Sequence, residues 1–275
     1  MDIDFKKAAV LGGGNGAHAM AADLSSRGFR VNLYEMPEFR HNVAQLFETK
    51  TIEIEGEISG KFVLNKVTSD IHEAIEGVRY ILVVTPAFAH KAYATLLKDR
   101  IEKQKQILIF YPGAFAGLLF KTLLGEDCPV IAEANNLPYD TRLTGPARVM
   151  LYGFNPVNIA FFPAQKGADL LEEVRKLHPF VNMYNDVLEA GLSIVNPAFH
   201  AGLCLFSIND IENWPKRPFF LYEHGVTPAS VKMNMAIDNE RKAIGRTFGY
   251  RIRSIEDFSN RSEEHTSELQ SLLII

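Results

Sequence analysis

The chain has 275 residues, of which 47% are apolar and 23% charged, and its formal net charge is −4. This composition is that of an ordinary soluble globular protein, and the length is comfortable for two domains. A weakly acidic net charge gives no reason to expect nucleic acid or an anionic membrane as a partner.

Cysteine content and the N-terminus bear on the cellular compartment. The two cysteines, Cys128 and Cys204, are too few for a disulfide framework or a zinc cluster, so we predict no metal site and two buried thiols in a reducing compartment. Residues 1–7 lack the basic start and the apolar core of a signal peptide. We find no uninterrupted apolar stretch long enough to span a bilayer. The sequence therefore predicts a cytoplasmic protein.

The first turn of the chain is rich in glycine. An apolar run over residues 8–11 ends in glycines and is followed at once by a helix-forming run. Gly12, Gly14 and Ala17 fit the pattern G-x-G-x-x-G/A, in which the first position allows a sharp turn, the second leaves room for a pyrophosphate and the third lets the helix lie close to the strand. The free N–H groups at the helix start offer an anion site. The predicted cofactor-binding residues of this turn are Gly12, Gly14, Asn15, Gly16 and Ala17.

A second predicted strand, residues 30–35, ends in Glu35, which lies 23 residues after Gly12. That separation is close to the spacing of about 20 residues expected for a ribose-binding carboxylate. A carboxylate there accepts hydrogen bonds from the 2′-hydroxyl and repels a 2′-phosphate, so NAD is the predicted cofactor. Arg40 is near enough in sequence to leave NADP as an alternative cofactor. If Glu35 does not bind the ribose, it is only a solvated residue at a strand end.

The rest of the first half alternates between strand and helix patterns, which predicts a doubly wound α/β domain of the Rossmann type. Thr85 and Pro86 follow a wholly apolar strand, where such a sheet exposes a loop to its cofactor, so both are predicted cofactor-binding residues. The predicted strands are 80–84, 106–110, 129–133, 148–153 and 157–162, with a hairpin over 51–64. The predicted helices are 71–77 behind the N-cap Asp70, one ending near 103, 115–124 and 168–177.

The pattern becomes helical near residue 186, with long segments at 187–208 and 228–248 joined through a proline-rich connection at 213–218. We therefore predict a dinucleotide-binding domain over 1–186, followed without a flexible linker by a helical domain.

The most informative residue of the helical half is His200. Asn196, His200 and Cys204 are four apart and share one helical face. Pro197 either lets Asn196 cap a new helix or kinks a longer one. His200 alone would fit a buried histidine bonded to a backbone carbonyl. The upstream dinucleotide domain favours a proton donor instead, because hydride transfer to a carbonyl or imine needs an acid near neutral pH.

Three weaker signals remain. Residues 133–139 follow a strand end, and the asparagines there could hold a substrate carboxylate or close a turn. We expect His90 to be a surface or capping residue. Asp238 and Arg241 belong to a charged cluster on the last long helix, which we interpret as a solvated face with local ion pairs.

These motifs together resemble the octopine/nopaline (opine) dehydrogenase family over residues 6–258. The resemblance implies NAD(P)H-dependent reductive condensation of an amino acid with a 2-oxo acid, with His200 as the catalytic proton donor and Asn136 and Asn196 as substrate residues. It implies a helical domain of the 6-phosphogluconate dehydrogenase C-terminal-like type. Ala114 replaces a polar residue of some members, which bears on the oxo acid used. The motifs are 10–17, 85–90, 136–139 with Arg142, 195–197 with His200, and 222–228 with Asp238, Glu240 and Arg241.

The family pattern stops near residue 258. In the family the histidine pairs with a downstream aspartate, and we find no matching segment after Asp257. Residues 261–275 resemble a sequencing-library adapter read as protein, so we expect a non-native tail after an incomplete helical domain over 187–260. Such a domain would expose apolar surface, which keeps homo-oligomer formation open.

Three alternatives stay open at this point. The first is a 2-hydroxyacid or polyol-phosphate dehydrogenase that reduces a ketone and consumes no amine. The second is a dinucleotide-binding protein without catalysis. The third is a chain that binds the cofactor without turnover because its acid partner is missing.

Overall fold

A computed structural model of the chain describes residues 3–214 and 216–257. The chain divides into two compact units, Met1–Gly191 and Leu192–Ile275, called here the sheet unit and the helical unit. The expected non-native tail, 261–275, and residues 258–260 of the expected helical domain lie outside the described residues.

The sheet unit is built on eight strands in the order β12-β11-β8-β7-β6-β1-β2-β5. Neighbouring strands are parallel except for the pair β8 and β11. The chain runs from β1 to β2 on one side and later returns to β6 on the other, which places the topological switch point beside β1. The strands are β1 (Asp4–Leu11), β2 (Arg30–Tyr34), β5 (Lys66–Thr68), β6 (Val78–Val83), β7 (Ile107–Phe110), β8 (Val130–Ala134), β11 (Asn158–Phe162) and β12 (Asn182–Met183).

Helices cover both faces of this sheet, which explains why its central strands are apolar throughout. One face packs against α1 and α6 and the other against α3, α4 and α5, each through a continuous layer of buried apolar side chains. This is the predicted doubly wound α/β architecture. The helices are α1 (Asn15–Ser26), α2 (Ala44–Thr49), α3 (Ile71–Ile75), α4 (His90–Leu97), α5 (Ala116–Leu124), α6 (Gly167–Arg175) and α7 (Val187–Leu192).

A second sheet of four strands has the order β4-β3-β10-β9. Its strands are β3 (Thr51–Gly56), β4 (Gly60–Val63), β9 (Tyr139–Gly145) and β10 (Arg148–Phe154). The predicted hairpin over 51–64 is its antiparallel pair β3–β4. The sequence analysis missed β9, because only Tyr139 and Thr141 of that strand are buried and its outer half is exposed, so its apolar alternation is weak.

One predicted helix ends early. The helix expected to reach residue 103 ends at Leu97, because Lys98 is extended and Asp99 takes a left-handed conformation with φ +62°. The residues that follow are mostly polar and exposed, so no apolar face remains to continue the helix.

The long and short helices of the helical unit include α8 (Asn196–Phe206), α9 (Ile208–Glu212), α10 (Leu221–His224) and α11 (Pro228–Thr247). A capping box begins α11: the Thr227 hydroxyl accepts from the Ser230 amide and the Ser230 hydroxyl accepts from the Thr227 amide. Pro228 occupies the first helical position, where its missing N–H costs nothing.

Residues 187–206 are, on average, apolar and long enough to cross a membrane, with a mean hydropathy of 1.2. The stretch contains Glu189 and His200, and α7 and α8 are separated by residues 193–195. It is therefore not a continuous apolar helix, and a core helix of a soluble protein has the same average composition.

Candidate functional site

The carboxyl ends of β1, β2, β6, β7 and β8 lie along one edge of the large sheet, where doubly wound folds bind ligands. This edge gathers Gly12, Glu35, Thr85 and Asn136 from four separate parts of the sequence. Contacts show this proximity: the side chains of Leu137 and Val84 both lie against Gly16, and the Thr85 side chain lies against Gly12.

Gly12 and Gly14 of the first turn are glycine for different physical reasons. Gly12 has φ +119°, and a Cβ there would lie 2.7 Å from the carbonyl oxygen of Val84, so the fold itself requires glycine. Gly14 has an extended backbone with φ −83°, and a Cβ there would meet nothing within 4 Å. Gly14 therefore leaves space beside the start of α1, where no side chain caps the helix. Ala17 is fully buried in the core below.

Two neighbouring side chains hold this turn in place. The Asn15 side-chain oxygen, Oδ1, accepts a hydrogen bond from the Leu143 backbone amide at 2.9 Å, which ties α1 to β9. The His18 Nδ1 lies 3.0 Å from the Gly14 carbonyl oxygen, and burial lowers the pKa of this fully buried ring. A neutral His18 donates to that carbonyl. The sequence analysis did not single out His18, whose only signal is its position four residues after Gly14.

Glu35 is buried, with 6% of its surface exposed, so the alternative of a solvated strand end is wrong. Its Oε1 accepts from the Met36 amide at 2.8 Å, and the Gly13 amide also bonds to the carboxylate. Its Oε2 occupies the space that a Cβ of Gly13 would need. Burial raises the pKa of Glu35. The acid thus lies directly against the glycine turn.

The Val43 side chain lies against Gly13 and also lines a cleft of about 920 Å³. The cleft is lined by residues 41–45, 48, 49 and 143–147. Arg40 is exposed and its guanidinium lies 4.1 Å from the centroid of the Phe47 ring. The cleft therefore adjoins the part of the turn where the ribose carboxylate was predicted.

The loop after β6 presents a buried hydroxyl. The Thr85 hydroxyl oxygen is buried and has no hydrogen-bond partner among the described residues, while Pro86 is exposed. A buried polar atom without a partner is costly unless a ligand satisfies it. This observation fits a cofactor at the predicted position.

His90 supports the same loop, and the expectation of a surface residue was wrong. Its ring is 1% exposed, packs against Phe110 and bonds to the backbone of Thr85. Burial lowers the pKa of His90 to about 4, so the ring is neutral near pH 7. His90 lies on the same face of α4 as the buried residues Tyr93, Ala94 and Leu97, which is why the ring is covered.

Glu133, which the sequence analysis treated only as part of a strand, holds the loop after β7. Its carboxylate accepts from the amides of Gly117 at 2.6 Å and Ala116 at 3.2 Å at the start of α5. Ala114 and Phe115 both have positive φ in this loop, +48° and +65°. Burial raises the pKa of Glu133 to about 7 despite the amide donors. No local pattern marks such a residue, because its partners lie in a different element.

The two asparagines after β8 have different roles. Asn135 pairs with Asn158: its Oδ1 and its backbone amide both bond to the backbone of that residue, which extends the antiparallel pairing of β8 with β11. Asn136 is half-buried, and its Oδ1 accepts from the Leu137 amide at 2.9 Å. Its side-chain amide is the group at this edge that could donate to a substrate carboxylate.

In the helical unit, His200 lies in the second turn of α8. The helix begins at Asn196 with Pro197 second, so a new helix starts here, although Val195 and not Asn196 is the N-cap. The ring is only half-buried, which corrects the buried-histidine alternative. Nδ1 lies 3.1 Å from the Asn196 carbonyl oxygen, and Nε2 lies 2.6 Å from the Tyr222 hydroxyl oxygen.

These two contacts determine what the ring can do chemically. A backbone carbonyl only accepts hydrogen bonds, so Nδ1 carries its proton in both charge states of the ring. Nε2 is therefore the nitrogen that gains and loses a proton. That nitrogen is bonded to the Tyr222 hydroxyl, which can both donate and accept a hydrogen bond.

The backbone around His200 is held by Asn234 of α11. The Asn234 amide donates to the Phe199 carbonyl oxygen, and its Oδ1 accepts from the Gly202 amide, both at 2.7 Å. A Cβ on Gly202 would lie 2.6 Å from the Asn234 oxygen, so glycine is needed for the helices to approach this closely. The sequence analysis named neither residue.

The interpretation of Asp238 and Arg241 as a solvated face is wrong. Asp238 is fully buried and Arg241 is 9% exposed. The guanidinium donates to Asp238 and to the backbone carbonyls of Leu192 and Arg253. The pair therefore connects α11 to the beginning and the end of the described part of the helical unit.

The cysteines are free, and both are half-buried rather than buried as expected. Burial raises the pKa of Cys128 to about 11. Within the described residues, no group of three or more His, Cys, Asp or Glu side chains could hold a metal ion.

Two family models match the chain. One, described as NAD/NADP octopine/nopaline dehydrogenase, alpha-helical domain, matches residues 183–272, and another, described as NAD-dependent glycerol-3-phosphate dehydrogenase N-terminus, matches residues 7–126. The opine dehydrogenase of Arthrobacter sp. (strain 1C) is 30% identical over 266 residues, which cover 94% of this chain and 73% of that protein.

Solved structures show the same fold. An octopine dehydrogenase in complex with NADH and agmatine has a TM-score of 0.71 at 18% identity, covering 97% of this chain and 73% of that one. A yersinopine dehydrogenase with NADP+ bound has a TM-score of 0.70 at 17% identity, covering 90% and 65%. The glycine turn, the helical unit and these likenesses agree, and the chain belongs to the octopine/nopaline (opine) dehydrogenase family of NAD(P)-dependent oxidoreductases.

Proposed function

We propose that this enzyme condenses an amino acid with a 2-oxo acid reductively, with NAD(H) as cofactor and His200 as the proton donor. The observation that carries the proposal is the ring of His200, whose Nδ1 is held by the Asn196 carbonyl while Nε2 lies against the Tyr222 hydroxyl, a group that can both donate and accept. A dinucleotide site and a tautomer-fixed histidine are the two components that such a reduction needs.

The sheet unit would hold the cofactor. Gly14 leaves room for the pyrophosphate at the start of α1, and the amides of Asn15, Gly16 and Ala17 face it as the unbonded first turn of the helix. The buried Thr85 hydroxyl would find its missing partner there, and Pro86 would line the same loop. The cofactor supplies the hydride when it is bound.

Glu35 supports NAD over NADP as the working cofactor. Its buried carboxylate lies against Gly13 next to the cleft, where a 2′-phosphate would meet a negative charge and a 2′-hydroxyl would meet an acceptor. Arg40 lies on the exposed side of the neighbouring turn and is the residue on which NADP use would depend.

The substrates in this proposal are a 2-oxo acid, contacted by Asn136, and an amino acid, with Asn196 beside His200. When the imine of the two is reduced, one proton leaves the imidazolium Nε2, and Nδ1 keeps its own proton through its bond to the Asn196 carbonyl. The ring returns to its charged form by taking a proton from water at its exposed side.

A 2-hydroxyacid or polyol-phosphate dehydrogenase is the second candidate, because the match to the glycerol-3-phosphate dehydrogenase model covers residues 7–126. That segment supports only the cofactor half of either reaction. Assays of NADH oxidation with 2-oxo acids in the presence and absence of amino acids separate the two. Oxidation that needs no amine would favour the second candidate, and NADH binding without oxidation across the panel would favour a non-catalytic binder.

The role of His200 is tested by His200→Ala. We expect turnover to fall by about 10²-fold or more, the contribution typical of a general acid, while NADH affinity stays nearly unchanged. His72→Ala, which removes an exposed imidazole from α3, is the matched control and should change neither quantity. An equal loss of NADH affinity in His200→Ala would show that His200 is structural.

The proposal includes a cytoplasmic enzyme that associates with copies of itself. Leu205, Phe206 and Trp214 of the helical unit are each more than half exposed. Neighbouring exposed apolar side chains of this kind are typical of association surfaces.

A further inference from the structure

Tyr222 belongs to the motif over residues 222–228, to which no function has been assigned above. It lies in α10 and is 42% exposed. Its hydroxyl oxygen is 2.6 Å from Nε2 of His200, a separation typical of a strong hydrogen bond to a ring nitrogen. The tyrosine is thus bonded to the nitrogen that exchanges its proton.

The contact is supported from several sides. Asn196 holds the ring of His200 at Nδ1 and Tyr222 holds it at Nε2, so the ring plane is defined by two hydrogen bonds. The ring of Phe199 lies beside both aromatic rings, 5.6 Å from His200 and 5.9 Å from Tyr222 between centroids. The Ser230 hydroxyl donates to the Gly225 carbonyl at 2.8 Å and anchors the end of α10 to α11.

We propose that Tyr222 is a positioning residue for His200, which holds Nε2 in place and maintains the tautomer with the proton on Nδ1. The proposal rests on the proposed role of His200 as proton donor. It adds a residue from a different helix to the reaction and explains why the motif of α10 lies next to the histidine.

A phenol hydroxyl suits this task because it both donates and accepts. It donates to Nε2 when the ring is neutral and accepts from the Nε2 proton when the ring is charged. A carbonyl in the same place would favour only the charged ring. Because both rings are partly exposed, a substrate atom can take the place of the hydroxyl at Nε2 without opening a packed core.

The decisive measurement is the tautomer of His200 in the full 275-residue chain, recorded by ¹⁵N NMR of the histidine rings. The His200 signals are identified by their loss in His200→Gln. In the unchanged chain we expect the Nδ1-protonated form to dominate. In Tyr222→Phe we expect the share of the Nε2-protonated form to rise, because Nε2 loses the O–H that it accepted.

Kinetics provide a second measurement. We expect Tyr222→Phe to lower kcat by about tenfold, the rate equivalent of one lost hydrogen bond, with the NADH dissociation constant unchanged. Tyr152→Phe removes a hydroxyl from an exposed tyrosine of β10 and is the matched control. It should leave both the His200 signals and kcat as they are.

Identical His200 signals in Tyr222→Phe and the unchanged chain would overturn the proposal, and so would an unchanged kcat. The NMR measurement needs no turnover, so it tests the contact independently of the proposed function. Full activity of His200→Gln would refute the proton-donor role itself, whatever the tautomer of His200 in Tyr222→Phe.

Discussion

The sheet unit and the helical unit bury different kinds of side chain. The central strands of the sheet unit are buried apolar runs, such as Ile107–Phe110, between two apolar layers. The long helix α11 instead buries Ser230, Asn234, Asp238, Arg241 and Gly245, a row of polar residues and one glycine spaced to lie on one face. The sheet unit is stabilised mainly by buried apolar surface. The helical unit depends on hydrogen bonds and ion pairs between buried polar groups.

The two units are therefore sensitive to different kinds of substitution. An apolar core tolerates exchange between side chains of similar size. A buried polar row tolerates little, because each lost partner leaves another group unsatisfied in a region of low dielectric constant. His200 is attached to the polar row through Asn234, so the proposed catalytic half should be the more fragile one.

The sharpest test of this comparison is Asn234→Leu, which keeps the side-chain size and removes both hydrogen bonds to α8. We expect the free energy of unfolding to fall by about 4 kcal/mol, because two buried backbone groups lose their partners. Ile109→Val in the sheet unit should cost only about 1 kcal/mol. Urea unfolding followed by the fluorescence of Trp214, the single tryptophan, and by circular dichroism measures both.

Asn213→Leu, which replaces an exposed asparagine of the helical unit, is the matched control. Its free energy of unfolding should lie within about 0.5 kcal/mol of that of the unchanged chain. Equal losses of unfolding free energy in Asn234→Leu and Ile109→Val would show that the helical unit is no more sensitive than the sheet unit.

Among the described residues of the sheet unit, Glu133 is the acid with the least exposed surface, 0%, and Glu133→Gln tests the effect of its burial. The folded pKa of about 7 lies above the unfolded value of 4.5. The stability that the protonated acid contributes is therefore complete below pH 4.5 and is lost as the pH rises through 7. We expect the stability of the variant relative to the unchanged chain to rise by about 3 kcal/mol between pH 4 and pH 8.

Unfolding in urea across that pH range measures the difference. Glu57→Gln, on an exposed glutamate, supplies the control and should show no such rise. A flat difference for Glu133→Gln would mean that the amides of Gly117 and Ala116 compensate fully for burial.

The smallest expected effect on stability is that of Gly14→Ala. A Cβ there meets nothing within 4 Å, so the free energy of unfolding should change by less than about 0.5 kcal/mol. NADH affinity, measured by titration calorimetry, should nevertheless fall by at least about tenfold because the methyl group occupies space meant for the pyrophosphate. An unchanged NADH affinity would show that the pyrophosphate does not bind beside this turn.

Much of the candidate cofactor site could be proposed from the sequence. The glycine turn, Glu35 and Thr85 are recognised by local rules and by spacing along a strand–helix rhythm. The burial of His90, Asp238 and Glu35 could not be predicted, because a single charged or polar residue has no period that shows which face it occupies.

Local patterns in the sequence predicted the doubly wound sheet and the helical second half and singled out His200 as a candidate, because strand and helix periods and glycine turns are local properties of the backbone. The partners of the candidate residues are visible only in the folded chain. Tyr222 lies 22 residues from His200 along the chain, Asn234 lies 32 residues from Gly202, and Glu133 lies 16 residues from Gly117. Such partners are chosen by the packing of whole elements, and no spacing rule within one helix or strand connects them.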